Sequence, residues 1–168
     1  MKKILSLFLL ASALVACFFA YQAGTKGDFL FDDEPNLKYL GELGGVHNWF
    51  TLKAYVLSGW SGPTGRPISL LSFLIDDNTW PSVAAPFKYT NLCFHLITGL
   101  LLAWATYLLL RAVRFVEARA AWVAVVAAGL WMLHPYWVST TLYVVQRMTI
   151  LSGLFMLAGM VGYLKGRS

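Results

Sequence analysis

Residues 89–110 read YTNLCFHLITGLLLAWATYLLL, an unbroken run without a formal charge. An α-helix rises about 1.5 Å per residue, so about 20 apolar residues cover a hydrocarbon layer about 30 Å thick. The run therefore predicts a membrane-crossing helix. Working outward, residues 4–23 form a second uncharged run and residues 148–164 another. The apolar stretch 120–133 is short for a crossing. Ala118 and a snorkelling Arg119 lengthen it into a span over 118–134. The whole chain agrees with this reading. Of its 168 residues, 58% are apolar and only 12% charged, against about 25% charged in soluble domains. That balance excludes a disordered chain and argues against a soluble globule. The expected fold is an all-α integral membrane protein, a single membrane domain over 1–168. It has four transmembrane helices and a long first outer loop, 24–88.

Lys and Arg favour the cytoplasmic side of a membrane. With the N-terminus inside, the inner side carries Lys2, Lys3, Arg111, Arg114, Arg119, Lys165 and Arg167 against Glu117. The outer side carries Lys26, Lys38, Lys53, Arg66, Lys88 and Arg147. Its acids are Asp28, Asp32, Asp33, Glu34, Glu42, Asp76 and Asp77. The split, +6 against −1, accounts for the net charge of +5 and predicts both termini inside (N-in, C-in). The positive charge thus reports orientation, and no nucleic-acid partner is expected. Residues 1–23 also fit a secretory signal, and Leu14-Val15-Ala16-Cys17 resembles a lipoprotein cleavage box. The apolar run continues through Phe18, Phe19 and Ala20, where a mature lipoprotein turns polar, so an uncleaved span is expected. Cys17 and Cys93 fall inside spans as small apolar residues. No metal-ligand spacing is present.

The 24–88 loop is too long for a plain connection. Its stretches 35–43, 48–57 and 68–75 are apolar-periodic but too short or too polar to cross. Amphipathic helices lying at the interface fit them better. Gly44-Gly45 and the run 58–63 (SGWSGP) punctuate them. Trp49, Trp60 and Trp80 suit the membrane interface. Phe31-Asp32-Asp33-Glu34 sets three acids side by side, so partial burial raises at least one pKa. Such a carboxylate could serve as a general base towards a hydroxyl. Spacing alone favours a solvated turn, with Asp33 capping a helix that Pro35 begins. Arg66, ahead of Pro67, could grip a phosphate with two parallel hydrogen bonds or meet lipid headgroups. Asn91, His95 and Thr98 share one helix face. They suit either a watery cavity or hydrogen bonds between helices. Ala120, Ala124 and Ala128, like Ala158 and Gly162, are small-residue stripes that let helices pack closely. Pro135 ends the third helix at His134. Arg147 would cost about 2.5–3.5 kcal/mol at the bilayer centre. It is therefore placed at the outer boundary, facing headgroups or a bound lipid phosphate.

Five motifs stand in order: FDDE at 31–34, GRPISLLSF at 65–73, YTNLCFHL at 89–96, HP at 134–135 and YVVQRMTIL at 143–151. The set resembles the N-terminal part of the GT-C superfamily of membrane glycosyltransferases. The likeness is nearest to the transmembrane and tetratricopeptide-repeat mannosyltransferases and their bacterial relatives. Where the animal enzymes carry an acid shortly after His-Pro, this chain has Ser139. The resemblance implies transfer of a sugar from a polyprenyl-phosphate donor to a protein or glycolipid hydroxyl on the non-cytoplasmic face. It implies Asp32 and Asp33 as the site of the catalytic base, assisted by Glu34. It gives Arg66 and Arg147 the donor phosphate, with His134 in the same cavity, and Asn91, His95 and Gln146 lining it. Family members continue with further spans, so the chain is expected to be an N-terminal portion completed by them or by a second chain. Its partners would be membrane lipid and the polyprenyl-phosphate-linked donor. No cofactor follows, although a divalent cation stays open. The Met-Lys-Lys start and short loops suggest a bacterial inner membrane with the active-site loop in the periplasm. The competing expectation is a non-catalytic small membrane protein, or a subunit of a larger membrane assembly.

Overall fold

A computed structural model describes residues 2–59 and 64–167. Among the described residues every regular element is helical. They are α1 (Lys2–Gln22), α2 (Asp33–Leu37), α3 (Trp49–Leu57), α4 (Pro67–Phe73), α5 (Ala84–Ala112), α6 (Glu117–Met132), α7 (Trp137–Leu142) and α8 (Arg147–Gly166). Short 3-10 turns extend α1 over Ala23–Lys26 and precede α8 over Val144–Gln146. Among the described residues three segments are long and apolar enough to cross a membrane: Ile4–Lys26, Ala84–Ala112 and Val144–Gly166. α6, the expected third span, has 16 residues and is about 24 Å long.

The boundaries follow local chemistry. α5 starts five residues ahead of its apolar run, because Pro86 falls in its first turn, where a missing N–H costs nothing. That start brings Lys88 into the helix. α6 stops two residues short of His134, since Pro135 bars the residue before it from helical geometry.

α5 is the axis of the bundle, with α8 along one flank and α6 along the other; α1 packs on α6 and α5. α1 and α6 run parallel. At one end Leu5 and Arg119 line a common crevice. At the other the Cys17 thiol and Tyr21 hydroxyl lie 3.5 and 3.3 Å from the Met132 carbonyl. Ala120, Ala124 and Ala128 are all buried in this packing, as the small-residue stripe predicts. Between α5 and α6, Gly99 leaves the space that Met132 fills; a Cβ there would sit 2.2 Å from its sulfur. Ala105, Leu157 and Val161 close the α5–α8 contact.

The outer loop folds into a cap on the bundle. Leu37, Leu40, Tyr55, Leu70 and Phe73 join Phe87 of α5 and Val144 in one core. The stretch 35–43 becomes α2 and a 3-10 turn, while 48–57 and 68–75 contain α3 and α4. α3 opens on a capping box. Asn48 Oδ1 accepts from the Thr51 N–H at 2.9 Å, and Thr51 Oγ1 accepts from the Asn48 N–H at 3.2 Å. Trp49, Phe50 and Leu57 of α3 and Ile68 and Leu71 of α4 point outward, whereas Thr51, Tyr55, Leu70 and Phe73 point in. This outward apolar ridge suits the interface expected for these helices. Trp60 lies outside the described residues. Gly59 and Gly65 cross so closely that a Cβ on Gly59 would lie 1.9 Å from the Gly65 carbonyl oxygen.

A carboxylate ties the turn before α5. Asp77 accepts from the Asn78 N–H at 2.7 Å, from the Thr79 N–H and hydroxyl at 3.1 Å each, and from the Ser82 hydroxyl. Partial burial alone would raise its pKa, but these donors outweigh it and hold the carboxyl below its usual value. A depressed folded-state pKa contributes stability above the unfolded value of about 3.9, lost as pH falls through the lower folded value. Hydrogen exchange at the Thr79 amide, corrected for intrinsic rate, should therefore lose protection below that range. Asp77→Asn should weaken the protection at neutral pH; protection that ignores both changes would refute the tie.

Candidate functional site

The acidic turn leaves the 3-10 end of α1 and enters α2. Phe31 adopts a left-handed conformation, φ 42°, which folds Asp33 back on the turn. Asp33 is fully buried, while Asp32 and Glu34 are exposed. Asp33 does not cap its own helix, as the sequence allowed. Its Oδ2 accepts from the Leu30 N–H at 2.9 Å and the Val144 N–H at 3.4 Å, and its Oδ1 from the Val145 N–H at 2.7 Å. The carboxylate therefore staples the loop to the turn that starts α8. Burial pushes its pKa up, and this outweighs the three N–H donors and the nearby charge of Lys88. Lys88 is itself buried, its ammonium donating to the Asp28 carbonyl at 2.8 Å.

Beside this staple, the Tyr143 hydroxyl accepts from the Asp32 N–H at 3.0 Å. Burial, reinforced by the charges of Asp32 and Asp33, raises the Tyr143 pKa despite that donor. Residues 143–146 then lead straight into a cleft between α4 and α8. The cleft has a volume of about 650 Å³ and is lined by Arg66, Gln146, Thr149 and Ser152, with Ile68 and Phe155 on its apolar walls. Arg66 is exposed, in a left-handed conformation with φ 54°, and its guanidinium lies against the Met148 sulfur. Gln146 Oε1 accepts from the Thr149 hydroxyl at 2.8 Å. Among the described residues the cleft thus offers one cation, an amide and the hydroxyls of Thr64, Ser69, Thr149 and Ser152 above an apolar floor. That set suits an anionic head on an apolar tail.

Four expected site residues lie elsewhere or do other work. Arg147 meets neither headgroup nor cleft. It is 0% exposed. Its Nε donates to Asn91 Oδ1 at 2.6 Å and its terminal nitrogens to the Ser72 and Phe87 carbonyls at 2.9 and 2.8 Å. It pairs with Asp76 at 2.6 Å, and its guanidinium carbon lies 4.6 Å from the Phe73 ring centre. A charge this deeply buried survives only when paired and hydrogen-bonded, and full burial leaves the guanidinium no face open to a lipid phosphate. Asn91 is likewise no cavity wall. It accepts from Arg147 and donates to the Tyr143 and Val144 carbonyls at 3.3 Å each. His95 is buried, with a ring nitrogen 3.0 Å from the Met132 carbonyl and the ring stacked on Trp131. Both make the contacts between helices that the sequence allowed as the alternative. His134 is exposed in a separate crevice with Trp131, Tyr136 and Trp137. It does not share the Arg66 cleft. Gln146 does line that cleft.

Asp76 was missed as a partner. The available signal was Arg147 itself, since a cation that folds beside the bilayer demands a counter-charge. Among the described residues no group of three or more His, Cys, Asp or Glu side chains is arranged to hold a metal ion. Cys17 and Cys93 are free thiols. Comparison with protein-family models, with curated proteins and with solved structures finds no match to this chain.

Proposed function

We propose that the chain is the N-terminal portion of a GT-C type glycosyltransferase. It moves a sugar from a polyprenyl-phosphate donor to a protein or glycolipid hydroxyl. In this reading four helices cross the membrane, with α6 as the third and both termini in the cytoplasm. The acidic turn and the cleft then face the periplasm of a bacterial inner membrane. The parallel course of α6 beside α1 between Leu5 and Tyr21 supports four crossings.

The observation that carries the reading is residues 143–146, which join the acidic turn to the cleft. Tyr143 meets Asp32, Val144 and Val145 bind Asp33, and Gln146 enters the cleft of Arg66. The roles follow from exposure. Asp32, exposed, takes the proton from the acceptor hydroxyl. The oxygen then bonds to the anomeric carbon, and the carbon–oxygen bond to phosphate breaks. The departing phosphate keeps the electron pair, and Arg66 and Gln146 hold it. Asp33 positions the turn, and Glu34 stands beside the base. Further spans or a second chain would complete the cavity.

Arg66→Ala tests this. A charge-assisted hydrogen bond contributes about 1.5–3 kcal/mol, so binding of a polyprenyl-phosphate hexose to the full chain in nanodiscs should weaken about 10- to 150-fold. Equal binding by both proteins would refute the assignment. A second reading, a non-catalytic subunit, is favoured by the structural use of Arg147, Asn91, His95 and Asp33. It predicts no specific donor binding at all.

A further inference from the structure

The end of the bundle away from the acidic turn carries an unused cation. α1 starts there, α5 ends, α6 starts and α8 ends, bringing Arg111, Arg114, Arg119, Lys165 and Arg167 around a single described acid, Glu117. Several of these side chains are engaged. Arg111 donates to the Phe115 carbonyl at 2.9 Å and Arg167 to the Tyr163 hydroxyl at 2.8 Å. Lys165 sits 5.5 Å over the Trp104 ring. Arg119 is exposed and makes no hydrogen bond or ion pair among the described residues. It opens onto a crevice of about 670 Å³ between α1 and α6, lined with Leu5, Val116, Ala118 and Trp122.

We propose that this crevice holds one anionic phospholipid, a reading independent of the transferase assignment. Arg119 and Trp122 are three residues apart and so share a face of α6. The guanidinium would take the phosphate by paired hydrogen bonds. The Trp122 indole would sit at the glycerol level, where Trp is enriched. Leu5 and Val116, 54% and 72% exposed, give an acyl chain its apolar wall. The charge excess selects the headgroup. A zwitterionic lipid would bring its own ammonium to Arg119 at an end of the bundle with an excess of cations, whereas an anionic headgroup adds only attraction.

The test places the full chain in nanodiscs containing brominated phosphatidylglycerol or brominated phosphatidylcholine. The difference in fluorescence between wild type and Trp122→Phe isolates Trp122. Brominated phosphatidylglycerol should quench that component severalfold more strongly. Arg119→Gln should cut the preference about fivefold, the usual contribution of one cation near a membrane surface. Inorganic phosphate should leave the wild-type preference unchanged. Equal quenching by the two lipids, a preference indifferent to Arg119→Gln, or displacement of the lipid by inorganic phosphate would each overturn the proposal.

Discussion

Arg147→Leu is expected to cost about 3–5 kcal/mol of stability, the range for breaking a buried ion pair from one side. The reason is the group left behind. Asp76 lies 2.6 Å from the guanidinium with a side chain only 2% exposed. Its other oxygen already accepts from the Thr90 hydroxyl. Without Arg147 a buried carboxylate loses its cation, and the Ser72 and Phe87 carbonyls and Asn91 each lose a donor. Arg147→Lys should recover part of the loss, because a single ammonium cannot reach every acceptor of the planar fork. Arg147→Met combined with Asp76→Leu should recover more, since a packed apolar pair leaves neither charge stranded. Thermal unfolding of the purified full chain in detergent reads all three. A single variant as stable as wild type would mean that Arg147 does not hold α4, α5 and α8 together.

Asp32→Asn should lower glycosyl transfer about 10²- to 10⁴-fold, the usual loss when a general base is removed, with the melting temperature unchanged. The carboxylate is exposed, and Tyr143 secures the turn through the Asp32 backbone N–H, which Asn keeps, beside its contact with the carboxylate. Asp33→Asn should behave differently. Its new amide would point donors at the N–H groups of Leu30, Val144 or Val145. An unmet buried donor costs about 1–3 kcal/mol, so transfer and stability should fall together. Burial also raises the Asp33 pKa. The pH-dependent part of the Asp33 contribution is thus fully present below the unfolded carboxylate pKa and is lost as pH rises through the folded one. Transfer from a polyprenyl-phosphate sugar, measured beside unfolding for each variant and with any chain that supplies further spans, separates the two roles. Full transfer by Asp32→Asn would remove Asp32 as the base.

The parts of this fold that were legible in the sequence rest on local chemistry. Long uncharged runs mark α1, α5 and α8, Pro135 ends α6, and apolar periodicity marks α3 and α4. The helix face of Asn91 and His95 was also legible. What each does there was not, because a polar face suits a cavity and a neighbouring helix alike. Contacts distant in sequence were hidden for the same reason. Nothing local tells Arg147 that its partner is Asp76, or sends Asp33 past its own helix to Val144 and Val145. Of the candidate site, Arg66, Gln146 and the exposed Asp32 keep positions compatible with their expected roles. Arg147 and His134 do not, because packing consumes one and a different crevice holds the other.

In the proposed function the acidic turn and the Arg66 cleft open on one side of the membrane, opposite both chain ends. Glu34→Cys, Thr149→Cys, His134→Cys and Arg119→Cys each place a thiol at an exposed position, in a background carrying Cys93→Ser. A membrane-impermeant maleimide applied to right-side-out vesicles should label the first three at once. Arg119→Cys should react only after permeabilisation. Labelling of Glu34→Cys and Thr149→Cys from opposite faces, or of Glu34→Cys from the cytoplasm alone, would contradict the account.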